Sequence, residues 1–141
     1  MSVIKRILLA TDLSEANKKA VEHAKHLRDS YSAELTVIFA ITVPSYYSFK
    51  TLSYDEIKSE LLSKYQTHFD AFIQENDLVN FANHIEVGDV FEVLYDYVST
   101  NHIDLLVLGS HGEHGIRDQI GSTVFKVLQR SPCNIFIANS R

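Results

Sequence analysis

The chain holds a single cysteine, Cys133, among its 141 residues. One thiol excludes an internal disulfide and fits a reducing cytoplasm. No stretch approaches the roughly 20 consecutive apolar residues that a membrane helix needs. The amino terminus, Met1-Ser2-Val3-Ile4-Lys5-Arg6, places charges inside the first apolar run and offers no small-residue cleavage site. It reads as a first strand and not as a signal peptide. Excess positive charge is missing too. The net charge is -5 and no basic stripe runs through the chain, which argues against nucleic acid as a partner. No G-x-G-x-x-G follows the first apolar run, which disfavours an ordinary dinucleotide-binding domain. Gly121-Ser122-Thr123 lacks the lysine of a P-loop, which disfavours an ordinary P-loop NTPase. Internal repeats, low-complexity tracts and composition shifts are absent, so the expectation is one domain over residues 1–141.

What is present is an alternation of periods. Val3 to Ala10 is an apolar run rich in Ile and Leu, broken only by Lys5 and Arg6, and reads as a buried strand. Ser14 is a good N-cap for the stretch that follows. There Ala16, Ala20, Val21, Ala24 and Leu27 fall at helical spacing, with Lys18, Lys19, Glu22 and Lys25 between them. Leu35 to Val43 is a second strand, stopped by Pro44. Residues 44–53 have no clear period and read as a loop. Ile57, Leu61, Leu62, Tyr65, Phe69, Phe72 and Ile73 fit a long amphipathic helix. His84 to Val87 is a third strand, and Val90, Val93, Leu94, Tyr97 and Val98 mark the next helix. Asp104 to Leu108, a helix over 122–129 and a strand over Asn134 to Ala138 complete the order. Strand and helix alternate four times before a closing strand. This predicts an α/β fold with a five-stranded, mostly parallel sheet and helices on both faces.

In such sheets a ligand sits beyond the carboxyl ends of the strands, where the strand order reverses. Three segments are expected to meet there: Ala10-Thr11-Asp12, Phe39-Ala40-Ile41-Thr42, and the loop opening at Gly109. They bring a carboxylate, an apolar edge and a phosphate cradle. Asp12 can accept hydrogen bonds from ribose hydroxyls, or serve as a turn residue before the first helix. Gly109 and Gly112 allow close approach of backbone to phosphate. Ser122 and Thr123 place hydroxyls where a helix dipole favours an anion, or act as a plain cap. His111 is a candidate donor to phosphate or ribose. Glu113 and Asp118 oppose an anion there and Arg117 offsets them.

Other chemistry finds little support. His111 and His114, and His23 and His26, lack the further ligands that a zinc site needs. Cys133 has no paired base and is expected to be buried and inert. No carboxylate pairing suggests general acid–base work. Tyr46, Tyr47 and Phe49 read as a cover over the edge of the core, with a lid or a partner surface as the alternatives.

The chain resembles the universal stress protein family over nearly its full length. The resemblance is carried by Ile4-Lys5-Arg6-Ile7-Leu8-Leu9-Ala10-Thr11-Asp12-Leu13-Ser14, by Val87-Gly88-Asp89, and by Asp104 through Gly112. Gly121-Ser122 with Val124, Val127 and Leu128, then Ser131-Pro132-Cys133-Asn134-Ile135, complete it. It implies a Rossmann-like, adenine nucleotide alpha hydrolase-like sheet and a homodimer through the last strand, Cys133 to Ala138. One branch of the family binds ATP through G-x2-G-x9-G-[ST]. Gly109, Gly112, Gly121 and Ser122 match its residues and Asp12 its aspartate; Ala40 falls near the position whose backbone meets adenine, and Leu108 precedes the loop. Eight residues, Glu113 to Ile120, separate the second and third glycines where that branch has nine. The expected site is thus Thr11, Asp12, Ala40, Leu108, Gly109, His111, Gly112, Gly121, Ser122 and Thr123, binding ATP with Mg or Mn on the phosphates. The expected protein is a cytoplasmic stress-response switch with slow or absent hydrolysis. The alternative is a dimeric interaction module of the same family without nucleotide.

Overall fold

A computed structural model describes residues 3–110 and 124–139. Strands β1 (Arg6–Thr11), β2 (Glu34–Ile41), β3 (Ala82–Val87), β4 (Leu105–Gly109) and β5 (Asn134–Ala138) form one sheet. Their order is β3-β2-β1-β4-β5, and every adjacent pair is parallel. The α/β fold expected from the alternation is the fold observed.

Helix placement follows from handedness. Helices α1 (Lys18–Tyr31) and α2 (Tyr54–Glu75) link β1 to β2 and β2 to β3, two steps in one direction. Right-handed crossovers put both helices on one face. Ala20, Val21 and Ala24 of α1 and Leu61, Phe69 and Phe72 of α2 share a core there with Ile7, Leu9, Val37 and Phe39. Helix α3 (Val90–Asn101) carries the chain back from β3 to β4, and the same rule puts it on the other face. Its Phe91, Leu94 and Val98 pack with Leu8, Ile38, Leu106 and Val127, the last from a helical segment over 124–129. The direction of travel reverses between β1 and β4, and that gap is the switch point of the sheet.

Several boundaries differ from the sequence reading. β1 begins at Arg6 because the Asp104 carboxylate takes the N–H groups of Lys5 and Arg6, at 2.8 and 3.0 Å, ahead of the ladder. β2 ends at Ile41, two residues before Val43, and β3 begins at Ala82, two residues before His84. α2 begins at Tyr54 because Ser53 and Glu56 form a capping box, which Ser53-x-x-Glu56 spells in the sequence. Residues 44–53 are not all loop, since Ser45–Phe49 forms a 3-10 turn. Tyr47 anchors that turn in the core, while Tyr46 and Phe49 remain exposed. The Tyr47 hydroxyl donates to Glu60 Oε1 at 3.0 Å, and Lys50 Nζ reaches the same oxygen at 3.3 Å. Burial, then the bond to Glu60, pushes the Tyr47 phenol up to about 12.

Gly88 turns the end of β3 into α3. Its φ of 157° is a conformation that side chains disfavour, and a Cβ there would lie 3.1 Å from Val93 Cγ2. Gly88→Ala is expected to cost about 1–3 kcal/mol. A urea midpoint within error of wild type would refute this.

Candidate functional site

The carboxyl end of β1 is built around a buried amide. Asn17 closes a 3-10 turn, Glu15–Asn17, and is only 3 % exposed. Its Oδ1 accepts from Thr11 Oγ1 at 2.9 Å and from the Asp12 N–H at 2.8 Å. Thr11 Oγ1 in turn accepts from the Leu13 N–H at 2.9 Å. Leu13 sits at φ 67°, a left-handed conformation rare for a bulky side chain. The turn is thus fixed by three hydrogen bonds and by burial of Leu13 in the core. No part of the sequence reading pointed to Asn17. A buried amide looks the same in sequence as a solvated one, and only its partners reveal it.

Ser14 does not cap α1, which starts at Lys18. It stands before the 3-10 turn and makes no side-chain cap. Its N–H and hydroxyl instead donate to Asp12 Oδ1, at 3.0 and 2.6 Å. The Asp12 carboxylate is therefore half committed. Oδ1 holds the turn, and Oδ2 accepts no hydrogen bond among the described residues. A carboxylate has room for about four acceptor bonds, so Asp12 can serve both the turn and a ligand.

Parallel register decides what lies beside it. Ala40 pairs with Glu86, and Thr11, the last residue of β1 before Asp12, pairs with Phe39. Leu9 pairs with Val107, and continuing the registers past the ladders sets Leu108 beside Ala10, and Asp12 between Ala40 and Ser110. The side chains of Ala10, Leu108 and Ile38 join the core on the α3 face, so alternation along β2 puts Ala40 there too. Ala10, Asp12, Ala40, Gly109 and Ser110 are half-buried although they belong to, or directly follow, the three middle strands. Small side chains leave these strand ends thinly covered. Thr11 points to the other face and is buried, so it supports the turn rather than lining this surface. Five of the expected site residues, Thr11, Asp12, Ala40, Leu108 and Gly109, are thus gathered at the switch point. His111, Gly112, Gly121, Ser122 and Thr123 lie outside the described residues.

The remaining reactive groups are elsewhere. Cys133 is half-buried against the α3-side core, and burial pushes its thiol up to about 11. Burial thus favours the protonated thiol over the nucleophilic thiolate. His23 lies 5.0 Å from the Phe136 ring, and His84 lies 5.5 Å from Tyr97. Among the described residues no group of three or more His, Cys, Asp or Glu could hold a metal ion, and no helix is long and apolar enough to cross a membrane.

Known proteins share this fold. The Universal stress protein family profile matches residues 4–139. The chain belongs to the universal stress protein family. A similar family member is universal stress protein A homolog 2 of Coxiella burnetii, 26% identical over 138 residues that cover 96% of this chain and 94% of the relative. Among solved structures, the universal stress protein UspA from Lactobacillus plantarum is 28% identical with a TM-score of 0.79, covering 96% of this chain and 97% of that one. A universal stress protein in complex with cAMP has the same fold, with a TM-score of 0.72 and 20% identity, covering 99% of this chain and 100% of its own. The strand ends gathered here are the switch-point position of open α/β sheets.

Proposed function

We propose that this protein is a cytoplasmic, single-domain stress-response switch that binds an adenine nucleotide at the carboxyl ends of β1, β2 and β4. The observation that carries this reading is Asp12. Its Oδ2 is an uncommitted acceptor held rigidly at the switch point, beside the small side chain of Ala40. A ribose hydroxyl pair fits that acceptor, and the base fits the edge formed by Ala40 and Leu108. The phosphates would lie toward Gly109, Gly112, Gly121, Ser122 and Thr123, with His111 as a further donor. The preferred ligand is ATP with Mg or Mn on its phosphates, and hydrolysis is slow or absent. The cAMP-bound structure of the same fold supports a nucleotide of the adenine class.

Thermal melting of nucleotide-free protein with and without Mg-ATP tests this. A ligand that binds only the native state stabilises it by about 2.7 kcal/mol at a hundredfold excess over its Kd. The midpoint is expected to rise by several degrees in millimolar Mg-ATP, and Gly112→Val is expected to abolish the rise while leaving the ligand-free melt intact. An unmoved wild-type midpoint would refute the reading.

The chain is further proposed to form a homodimer through residues 133–138. The two sheet edges are unlike. Edge strand β3 carries His84 and Glu86 on one face, whereas β5 runs Ile135-Phe136-Ile137-Ala138 without a charge. Ile137 is 37 % exposed, and Phe125 and Leu128 are exposed on the preceding helical segment. An uncharged edge is open to pairing with a second copy, and lysine blocks such pairing. Ile137→Lys is expected to halve the mass measured by light scattering after size exclusion. Wild type running as a monomer would end this proposal.

A further inference from the structure

We infer that Ser14 is a positioning residue for the nucleotide site, fixing the Asp12 carboxylate so that Oδ2 is left as the ligand's acceptor. This rests on the nucleotide reading above and deepens it. Ser14 gives Asp12 Oδ1 both of its donors, the N–H at 3.0 Å and the hydroxyl at 2.6 Å. The hydroxyl contact has the length of a charge-assisted bond to an ionised carboxylate, about 2.5–2.7 Å. Two donors on one oxygen fix the plane of the carboxylate. The torsion that turns this plane is otherwise broad, with no staggered wells to hold it. The backbone of Asp12 is held separately, by Asn17 Oδ1, which accepts its N–H at 2.8 Å. Backbone and carboxylate are thus both set before a ligand arrives, and binding is spared the cost of ordering them.

The Ser14 hydroxyl has no other task among the described residues. It stands where a capping serine would stand, before the 3-10 turn Glu15–Asn17, yet it makes no cap. The turn closes without it, because the Ser14 carbonyl accepts the Asn17 N–H at 3.0 Å. Thr11 Oγ1, Asn17 Oδ1 and the buried Leu13 hold the same turn from the other side. Removing the hydroxyl therefore spares the backbone and loosens the carboxylate, which keeps only the Ser14 N–H. Oδ2 then loses its fixed direction, and its bond to a ligand donor weakens. A serine hydroxyl has one proton to donate, and here it goes to Asp12. Ser14 acts through the carboxylate and not on the ligand.

The test is isothermal calorimetry of Mg-ATP on nucleotide-free wild type, Ser14→Ala, Asp12→Ala and the double variant, run to millimolar ligand so that weakened variants stay measurable. Ser14→Ala is expected to bind about tenfold more weakly, as the loss of a hydrogen bond to a charged group allows. Ser14→Thr, which keeps the hydroxyl, is expected to bind close to wild type. In the Asp12→Ala background, Ser14→Ala is expected to cause no further loss, since a positioning residue has no effect once the group it positions is gone. Without ligand, Ser14→Ala is expected to melt close to wild type. Equal affinity of wild type and Ser14→Ala, or the same tenfold loss in the Asp12→Ala background, would overturn this inference alone. So would a ligand-free Ser14→Ala melt far below wild type, which would assign the hydroxyl to the fold. Failure of wild type to bind Mg-ATP would overturn the nucleotide reading, and this inference with it.

Discussion

Asn17→Ala is expected to destabilise the protein by about 2–4 kcal/mol. Its Oδ1 is the acceptor for both the Thr11 hydroxyl and the Asp12 N–H, at 2.9 and 2.8 Å. Truncation leaves the buried Thr11 hydroxyl and the part-buried Asp12 N–H without it, and each buried unsatisfied group costs about 1–3 kcal/mol. Leu13 adds to the effect. A bulky residue at φ 67° persists only where its surroundings over-determine it. With the amide gone, the turn is free to relax, and Asp12 loses the backbone bond that positions it. Asn17→Ala is therefore expected to lower both the urea midpoint and nucleotide affinity, although Asn17 touches no ligand in the proposed site. Thr11→Val provides the check on mechanism. Residues that share a network couple by about 0.5–3 kcal/mol in a double-mutant cycle. A loss under about 0.5 kcal/mol for Asn17→Ala, or strict additivity with Thr11→Val, would refute the network.

Leu106→Ala is expected to cost about 2–5 kcal/mol. Leu106 is the second residue of β4, between its register partners Leu8 of β1 and Ile135 of β5, and has no exposed surface. Its side chain belongs to the core under α3, with Phe91, Leu94 and Val98. Neighbours on three sides leave no way to collapse into the cavity, which is what makes such truncations costly. Domains of this size are stable by about 5–15 kcal/mol, so one truncation removes a large share. Val79→Ala is the internal control. Val79 is exposed, and its truncation is expected to stay within about 0.5 kcal/mol of wild type. Chemical denaturation with an unchanged slope reports both values. Equal effects at the two positions would contradict the placement of this core.

Much of the candidate site was legible in the sequence because it follows strand ends. Asp12 comes directly after an apolar run, and Gly109 ends another, so a parallel sheet had to bring them to one edge. Ala40 and Leu108 lie near the ends of β2 and β4, the two neighbours of β1 in the sheet. Boundaries were less legible. The apolar run at Val3 continues past the ladder, and hydrophobicity carries no signal for the Asp104 carboxylate that intercepts the first two N–H groups. Ser53-x-x-Glu56 was readable as a helix start and outweighs the apolar period, which begins only at Ile57. Tyr47 and Phe49 lie two residues apart in an aperiodic stretch. One is core and the other is exposed, because the 3-10 turn sets which residue faces Glu60 and α2.

By itself the sequence determined the class of fold and the end of the sheet where chemistry belongs. Local periodicity fixes which segments are strands and helices, and the handedness of parallel crossovers then fixes the faces. Only the tertiary structure decided the role of Asn17, the left-handed Leu13 and the pairing of Ala40 with Glu86. The Asn17 turn is local in sequence, but burial decides which partners it keeps. The strand pairing depends on strand order and register, which bring together residues as far apart as 40 and 86. Contacts of that separation are set by the packing of whole elements, and no local pattern in the chain encodes them.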